Sequence, residues 1–258
     1  MNNSPLVSVI INCHNGKKYL HEAIKSVLNQ TYQNWEIIFF DNNSSDNSFE
    51  IVKKYKKKKI KSFLYRGITL PLYKARNLAI KKAKGKFITF LDTDDKWKKN
   101  KLMTQVNFSK KFLKEDIFYS NYDVIDEIKN KKFVKHKKLP SGYISKYLAQ
   151  NYVVSIATLF IKKKIFQKFK FNETYNLIGD FDFIMRLSKV KKLIAIQDSL
   201  AYYRVHNANF SKKNTDIYIK ELKNWVKKNN KKFDTKRIVF FIFKLNIRLF
   251  LNLFIKSN

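Results

Sequence analysis

The sequence predicts an α/β fold with a mostly parallel central sheet and helices on both faces. Short apolar runs rich in β-branched and aromatic residues alternate with amphipathic stretches throughout residues 6–95, which is the pattern of a parallel sheet covered on both sides. Polar clusters follow three of these runs directly, at 12–16, 41–46 and 92–95. Because ligands bind at the carboxyl ends of strands in such sheets, the three clusters predict a single site.

The first half of the chain is predicted to hold four strands joined by three helices. Apolar residues dominate the expected strands, at 6–12, 35–40, 60–65 and 86–91. Apolar residues recur every three or four positions in the expected helices, at 16–30, 49–55 and 72–84. Gly85 is predicted to cap the third helix at its C-terminus.

The second half is more mixed. Helices are expected at 97–112 and 180–191. Strands are expected at 116–126, 132–136, 155–161 and 193–204, the first two as separate strands or as a hairpin.

The last stretch, 236–258, consists mostly of Ile, Phe and Leu, with a polar or basic residue at every fourth position from Lys244 onward. On a helix this spacing gives a narrow polar stripe and a broad apolar surface. Its longest wholly apolar segment, 238–243, is far shorter than the roughly 20 residues that span a bilayer. We therefore expect a helix that lies on an anionic membrane surface, or one that packs on its own domain or on a second subunit.

The net charge of the 258 residues is +34, and only six of the 54 basic residues are arginines. These residues are scattered over almost every segment, whereas nucleic-acid-binding proteins concentrate Arg and Lys on one face. The pattern disfavours nucleic acid. It indicates either a lysine bias of solvated surfaces or attraction to phosphate-rich partners.

Two features bear on the compartment. The single Cys13 excludes an internal disulfide framework and is typical of a reducing environment. The short polar start is unlike a secretory signal. We expect a cytoplasmic protein, either free or peripheral on the inner face of the plasma membrane.

Asp92-Thr93-Asp94 directly follows the fourth predicted strand. Residues two apart on an extended segment point the same way, so the two carboxylates are expected to converge. Two like charges at close range are unfavourable unless a cation lies between them or one is protonated. Because Mg²⁺ and Mn²⁺ bind one or two carboxylates together with phosphate oxygens and water, the triplet predicts a Mn²⁺ or Mg²⁺ site for a diphosphate. Taken alone, the same spacing is also typical of an ordinary polar turn.

Four blocks follow one another in the chain: VSVIINCHNGKKYLHEAIKSVLNQTYQNWEIIFFDNNSSDNS, KARNLAIKKAKGKFITFLDTDD, IGDFDFIMRL and YYRVHNANFS. Together they resemble the family 2 inverting glycosyltransferases over residues 5–211. The resemblance implies the GT-A fold, a nucleotide-binding α/β sandwich. It implies a GT-A domain at 1–211, with its nucleotide-binding half at about 5–95 and its acceptor-side half at about 96–211, and a basic, aromatic-rich helical extension at 212–258.

The resemblance also implies roles for single residues. Those expected to bind the donor nucleotide are Asn12, His14, Asp41, Arg76 and Asp92. Asp94 is the expected metal ligand, and His206 lies in the segment that folds over the diphosphate, where an imidazole can ligate Mn²⁺ or hydrogen-bond a phosphate. Without the resemblance, Asp41 could simply cap the next helix, and Arg76 could form a surface ion pair.

Inversion at the anomeric carbon needs one base that deprotonates the acceptor hydroxyl opposite the leaving diphosphate. The family places this base in a Glu-Asp pair that opens a helix. Here the pair reads Gly179-Asp180, so the resemblance gives Asp180 the catalytic role while the Glu is absent. Asp182 is the competing candidate, and a helix N-cap is the structural alternative for Asp180.

The expected function is transfer of a sugar, with inversion, from a nucleotide-sugar donor to a hydroxyl of a glycan or lipid-linked acceptor in cell-surface polysaccharide synthesis. A UDP-sugar is the favoured donor. Two other functions stay open at this point. A non-catalytic basic module would bind nucleic acid or anionic membrane with steep salt dependence and without a divalent metal. A nucleotidyltransferase would also use carboxylate-bound Mg²⁺, but the sequence has no glycine-rich phosphate loop.

Overall fold

The computed structural model describes residues 4–55 and 58–256, and their side chains as far as residue 247. Within these residues nine strands form one sheet. They are Val7–Cys13 (β1), Trp35–Asn42 (β2), Ile60–Tyr65 (β3), Phe87–Phe90 (β4), Lys96–Trp97 (β5), Ile117–Asp126 (β6), Lys131–Val134 (β7), Phe160–Lys162 (β8) and Leu193–Val205 (β9).

The strands lie in the order β3-β2-β1-β4-β8-β6-β9-β5, and β7 pairs with β6. The first four strands are parallel to one another, and β6 is parallel to β9. The short β8 is antiparallel to both β4 and β6 and joins the two parallel parts. Most paired residues belong to parallel pairs, so the predicted mostly parallel sheet is confirmed. The hairpin alternative for 116–136 is also confirmed, because β6 and β7 are antiparallel neighbours.

Helices cover both faces of the sheet, as predicted. In the described chain they are Lys17–Leu28 (α1), Ser48–Lys53 (α2), Leu72–Lys82 (α3), Lys101–Lys111 (α4), Ser145–Gln150 (α5), Ile165–Lys168 (α6), Gly179–Val190 (α7), Phe210–Lys213 (α8), Thr215–Asn229 (α9) and Lys236–Lys256 (α10). Alternate residues of β1 point to opposite faces of the sheet and belong to two separate hydrophobic cores. Val9 and Ile11 pack with α1 and α4, whereas Ile10 packs with α3 and α7.

The three polar clusters meet at one edge of the sheet. Cys13, at the end of β1, is paired with Asp41 in β2, and β4 lies on the other side of β1. Because these strands are parallel, the segments that follow them emerge together. The predicted convergence of the clusters is confirmed. Asp41 itself lies inside β2 instead of in the turn that follows.

Gly85 is not a helix cap. α3 ends at Lys82, and Ala83 continues in extended geometry. A Cβ at Gly85 would lie 2.6 Å from the backbone nitrogen of Ser8 and 2.8 Å from the Leu6 carbonyl oxygen. Residue 85 must therefore be glycine, because its backbone lies so close to the backbone of β1 that no Cβ fits between them.

Two other predicted elements are wrong in part. Trp97 belongs to β5, which pairs with β9, and α4 begins only at Lys101. The expected strand at 155–161 is a 3-10 turn, Ile156–Thr158, followed by the short β8. In both places buried apolar side chains gave the expected hydrophobic pattern, which does not distinguish short irregular segments from regular ones.

The C-terminal extension is helical, as predicted. α10 packs on α9 and α5 and buries Ile238 and Ile242, while Phe240 and Phe243 are 58% and 60% exposed. Among the helices of the described residues, none is both long and apolar enough to cross a membrane. Residues 257–258 of the predicted segment lie outside the described chain.

Candidate active site

The Asp92-Thr93-Asp94 segment is a tight turn at the end of β4. The backbone N–H of Asp95 donates to the Asp92 carbonyl oxygen over 3.1 Å. The extended geometry expected from the sequence is therefore wrong. Because a turn rotates successive side chains away from one another, Asp92 and Asp94 have separate partners.

Asp94 faces the segment that follows β9. Its Oδ2 lies 3.1 Å from Nε2 of His206 and 3.1 Å from Nδ2 of Asn209. The backbone N–H of Ala208 donates to Nδ1 of His206 over 3.2 Å, which assigns the imidazole proton to Nε2 and makes the ring a donor to Asp94. The structure thus brings together the two residues predicted to hold the metal.

Arg204 holds the turn in place from β9. Its Nε donates to the Asp94 carbonyl oxygen over 2.9 Å, and its backbone N–H donates to Oδ1 of the buried Asp95 over 3.0 Å. The guanidinium is itself held by ion pairs with Glu22 and Glu127. It also stacks on the ring of Tyr19 at 4.4 Å. This network ties α1, the β6–β7 hairpin and β9 to the Asp92-Thr93-Asp94 turn, the predicted metal motif.

Arg76 of α3 holds Asp92. Its guanidinium donates to Oδ1 of Asp92 over 2.8 Å and is almost completely buried. It packs against aromatic rings at 5.4–5.6 Å, those of Tyr73, Phe90 and Phe171. Arg76 is therefore no surface ion pair, and its arrangement is that of a fixed positive charge beneath the site.

The acidic turn concentrates negative charge. Burial raises the pKa of Asp92, and the carboxylates of Asp94 and Asp180 raise it further against the opposing effect of Arg76. The pKa of Asp95 lies well above its usual range because of burial and because Asp94 and Asp92 are close. A cation at this turn would relieve this repulsion.

A divalent cation fits the site only together with further ligands. Asp94 Oδ2 and His206 Nε2 are adjacent, but nowhere in residues 4–55 and 58–256 do three or more His, Cys, Asp or Glu side chains form a ligand cluster. Mg²⁺ and Mn²⁺ usually complete their shell with substrate phosphates and water. Ligation through Nε2 would also require the imidazole proton to leave this atom, which faces Asp94, for Nδ1, to which the Ala208 N–H donates.

The opposite end of the site contains buried polar atoms without partners. Both side-chain amide atoms of Asn12 and Oδ2 of Asp41 are buried and make no hydrogen bond within the described chain. Oδ1 of Asp41 accepts the Ser44 backbone N–H over 2.8 Å. Burial raises the pKa of Asp41, and its neighbour Asp46 raises it further. The exposed His14 lies at the same edge, with Nδ1 3.0 Å from the Asn42 carbonyl oxygen.

Gly16 brings the two ends of the site together. A Cβ at this position would lie 2.7 Å from Oγ1 of Thr93 and 3.0 Å from Sγ of Cys13. The turn after β1 can therefore rest directly on the metal motif only because residue 16 has no side chain.

Asp180 lies in the first turn of α7. Its Oδ1 accepts the backbone N–H of Phe181 over 2.8 Å and lies 3.1 Å from the hydroxyl of Tyr73. Burial raises its pKa, and Arg76 opposes this effect. The side chain is half-buried, so it is accessible and more basic than an ordinary aspartate.

Asp182, the competing candidate for the base, is occupied by structural contacts. Its Oδ2 accepts from Nε of Arg186 over 2.8 Å, and its Oδ1 accepts from Nε1 of Trp225 over 3.1 Å. It is buried between α7 and α9. Both oxygens are therefore engaged, which leaves Asp180 as the accessible carboxylate of this helix.

Sequence reasoning missed several residues that shape the site: Gly16, Tyr73, Arg204 and Asn209. Arg204 and Asn209 belong to the segment YYRVHNANFS, whose resemblance to the family assigns a role only to the histidine. The scarcity of glycine, 5 in the whole chain, was a usable signal for Gly16. Only tertiary contacts reveal the role of Tyr73.

The fold and the site define an α/β protein with a polar site at the carboxyl ends of parallel strands, which is where enzymes of this architecture bind their ligands. The chain belongs to glycosyl transferase family 2, whose family model matches residues 8–196.

Three relatives show this similarity. An uncharacterized glycosyltransferase of Methanocaldococcus jannaschii is 33% identical over 79% of this chain and 72% of its own length. Two relatives from Escherichia coli, WfgD and WfaP, are each described as a UDP-Glc:α-D-GlcNAc-diphosphoundecaprenol β-1,3-glucosyltransferase. WfgD is 34% identical over 64% of each chain, and WfaP is 31% identical over 80% of each chain.

Solved structures confirm the fold. A crystal structure of S. aureus TarS, residues 1–349, matches with a TM-score of 0.67 at 20% identity, over 84% of this chain and 63% of that one. A second TarS structure, in complex with UDP, matches with a TM-score of 0.65 at 21% identity, over 84% of this chain and 65% of that one. The predicted GT-A architecture is thereby confirmed.

Proposed function

We propose that this glycosyltransferase is metal-dependent and inverting, and that it moves a sugar from a UDP-sugar to a hydroxyl of a lipid-linked glycan. The observation that carries the proposal is the position of Asp180. It is an accessible carboxylate, made more basic by burial, beside the Arg76–Asp92 pair that adjoins the metal motif. This is the arrangement that a single displacement requires.

The donor is held by both ends of the site. Asn12 and Asp41 offer their unpaired atoms to the base, and His14 lies where the ribose would pass. Asp94 and His206 would hold the cation against the diphosphate. When bound, that cation would neutralise the charge that develops on the departing diphosphate.

Asp180 performs the proton transfer. The acceptor oxygen forms a bond to the anomeric carbon while the bond from that carbon to the diphosphate oxygen breaks, and the hydroxyl proton passes to Asp180. One displacement inverts the configuration. Burial favours this step because a carboxylate with a raised pKa accepts a proton more readily.

The substrates are inferred from the relatives. The names of WfgD and WfaP give a UDP-glucose donor and a diphosphoundecaprenol-linked acceptor, and TarS was crystallised with UDP and with UDP-GlcNAc. A lipid-linked acceptor lies at a membrane. The exposed phenylalanines of α10 and the charge of +34 support a peripheral position on an anionic bilayer.

The first test measures donor binding. Thermal shifts are recorded with UDP, GDP and dTDP, each with and without Mn²⁺, because a ligand that binds the folded state raises its melting temperature. We expect the largest shift with UDP and Mn²⁺ together. A response to none of the three nucleotides contradicts the proposed donor site.

The second test concerns the base. Asp180→Asn keeps the shape of the side chain and removes its basicity, so transfer should fall by about 10²–10⁴-fold while UDP affinity stays unchanged. Exposed Asp198→Asn is the matched control. NMR of the purified product reports its anomeric configuration. Wild-type turnover in Asp180→Asn, or a product with retained configuration, would overturn the mechanism.

A further inference from the structure

Asp180 is anchored through one oxygen only. Oδ1 accepts the Phe181 backbone N–H and lies 3.1 Å from the hydroxyl of Tyr73. In the described part of the chain, no hydrogen-bond donor reaches Oδ2. An aspartate held in this way presents its second oxygen in a fixed direction.

Tyr73 can serve this purpose because it is itself immobile. Its ring is buried, is stacked on Phe171 at 5.6 Å and packs against the Arg76 guanidinium. Its one hydroxyl proton is shared between Oδ1 of Asp180 and the Leu177 carbonyl oxygen, which lies 3.0 Å from the hydroxyl just before α7. Burial and the charge of Asp180 raise the pKa of Tyr73 well above its usual range, so the phenol keeps its proton and remains a donor.

Gly179 makes room for this ring. A Cβ at residue 179 would lie 2.4 Å from Cδ2 of Tyr73 and 2.5 Å from Cγ and Cε2. Any side chain at this position would displace the ring, because real Cβ contacts do not approach this closely. The glycine that stands in place of Glu in the family's Glu-Asp pair therefore makes room for the Tyr73 ring of α3.

We propose that Tyr73 is the positioning residue of the base, that its hydroxyl fixes Oδ1 so that Oδ2 receives the acceptor proton, and that Gly179 is glycine in order to admit the Tyr73 ring. This inference rests on the proposed function in assigning the base to Asp180. It adds a residue, and a coupled pair of positions, that the family resemblance does not supply.

The hydrogen bond has a defined effect on protonation. Donation to the ionised carboxylate lowers the pKa of Asp180, so its loss should raise that pKa. The other charged or titratable groups near Asp180 are Arg76 of α3, Asp92 of the metal motif, Tyr152 after α5 and Tyr218 of α9. None of them is altered by a change at Tyr73 that keeps the ring.

Tyr73→Phe tests the proposal. It removes the hydroxyl and keeps the ring. We expect kcat to fall about tenfold or more, as for loss of a hydrogen bond to a charged group, with the KM for the donor unchanged. The acid limb of the kcat profile should move to higher pH. Tyr119→Phe is the matched control, because the hydroxyl of Tyr119 is also buried but bonds the Pro140 carbonyl.

A double-mutant cycle tests the coupling. Gly179→Ala should displace the Tyr73 ring and reduce kcat by at least as much as Tyr73→Phe does. Adding Tyr73→Phe to Gly179→Ala should then cost almost nothing, because the hydroxyl has already left Asp180. Full additivity of the two losses contradicts a shared origin.

An activity-independent measurement separates this inference from the proposed function. Asp180 is titrated by NMR of ¹³C-labelled aspartate and assigned from the spectrum of Asp180→Asn. We expect a higher pKa in Tyr73→Phe than in the wild type or in Tyr119→Phe. An unchanged titration overturns the inference even if the enzyme transfers sugar. If the pKa of Asp180 is raised in Tyr73→Phe but the wild-type protein transfers no sugar, the proposed function is overturned instead.

Discussion

Three buried polar atoms without partners lie at the proposed nucleotide end of the site: Oδ1 and Nδ2 of Asn12 and Oδ2 of Asp41. An unpaired buried polar atom costs about 1–3 kcal/mol. No hydrogen bond within the described chain offsets this cost, whereas a nucleobase carries both N–H donors and carbonyl acceptors. We therefore expect these atoms to bind a ligand that supplies the missing hydrogen bonds.

Asp41→Asn should weaken UDP binding about 10–100-fold, the usual effect of losing a charged hydrogen bond. Calorimetric titration with UDP measures it, with exposed Asp198→Asn as control. Because burial raises the pKa of Asp41, the ionised acceptor is lost at a higher pH than in an ordinary aspartate. Wild-type affinity should therefore fall as the pH is lowered through that range, and the variant should lack this pH dependence. Equal affinities would contradict a base contact.

Arg204 positions the metal motif through its guanidinium, which pairs with Glu22 and Glu127 while donating to the Asp94 carbonyl. Lysine keeps the charge but cannot form this fork. Arg204→Lys should reduce stability by about 1–2 kcal/mol and diminish the additional thermal shift that Mn²⁺ gives to UDP. Exposed Arg237→Lys is the matched control and should leave both unchanged. An unaltered Mn²⁺ effect in Arg204→Lys would leave Arg204 with a structural role alone.

At the level of elements, the passage of the chain from α3 to β4 depends on one glycine. Gly85→Ala would place a Cβ 2.6 Å from the Ser8 nitrogen, so β1 or the connection must move. We expect a loss of about 1–3 kcal/mol in the free energy of unfolding, measured by urea denaturation. Gly67→Ala is the contrasting variant: its Cβ meets nothing within 4 Å, and only its φ of +119° is strained. A larger loss at Gly67 would show that backbone conformation, rather than close approach, governs both sites.

Most elements of the first half could be predicted because they bury a continuous apolar face. β3 has the predicted bounds, and β1, β2 and α1 differ by one or two residues at their ends. The wrong predictions lie in segments whose secondary structure depends on tertiary contacts. Trp97 pairs with β9, and residues 156–158 form a 3-10 turn before β8. No local periodicity contains this information.

The candidate site divides in the same way. Residues at the end of a strand or just after it, such as Asp41 and Asp94, could be found from the sequence because parallel strands bring them to one edge of the sheet. Arg204 and Tyr73 could not, because each acts across more than a hundred residues on a carboxylate or carbonyl of another element. The sequence also did not show that residues 92–94 form a turn. Side chains two residues apart point the same way only on extended backbone.

On the scale of the whole molecule, the acidic site lies in a protein with a net charge of +34. Lysines are distributed over both halves and are mostly exposed, so the surface attracts anions from many directions. Within this field the carboxylates around Asp92 form a local region of opposite sign. We expect an anionic donor to approach easily, and in the proposed mechanism a cation is needed only where the diphosphate binds.

The same charge bears on the proposed attachment of α10 to a membrane surface. Phe240 and Phe243 are exposed, whereas Ile238 and Ile242 fix the helix to the domain. Replacing both phenylalanines by Gln should therefore leave the fold intact and remove apolar surface that can enter the interfacial region of a bilayer. We expect the wild type to co-sediment with anionic vesicles, less so at high salt, and the double variant to bind several-fold more weakly. Exposed Leu113→Gln, outside α10, is the matched control. Equal binding of all three proteins would show that lysine charge alone holds the protein at the surface and that the exposed phenylalanines serve another contact.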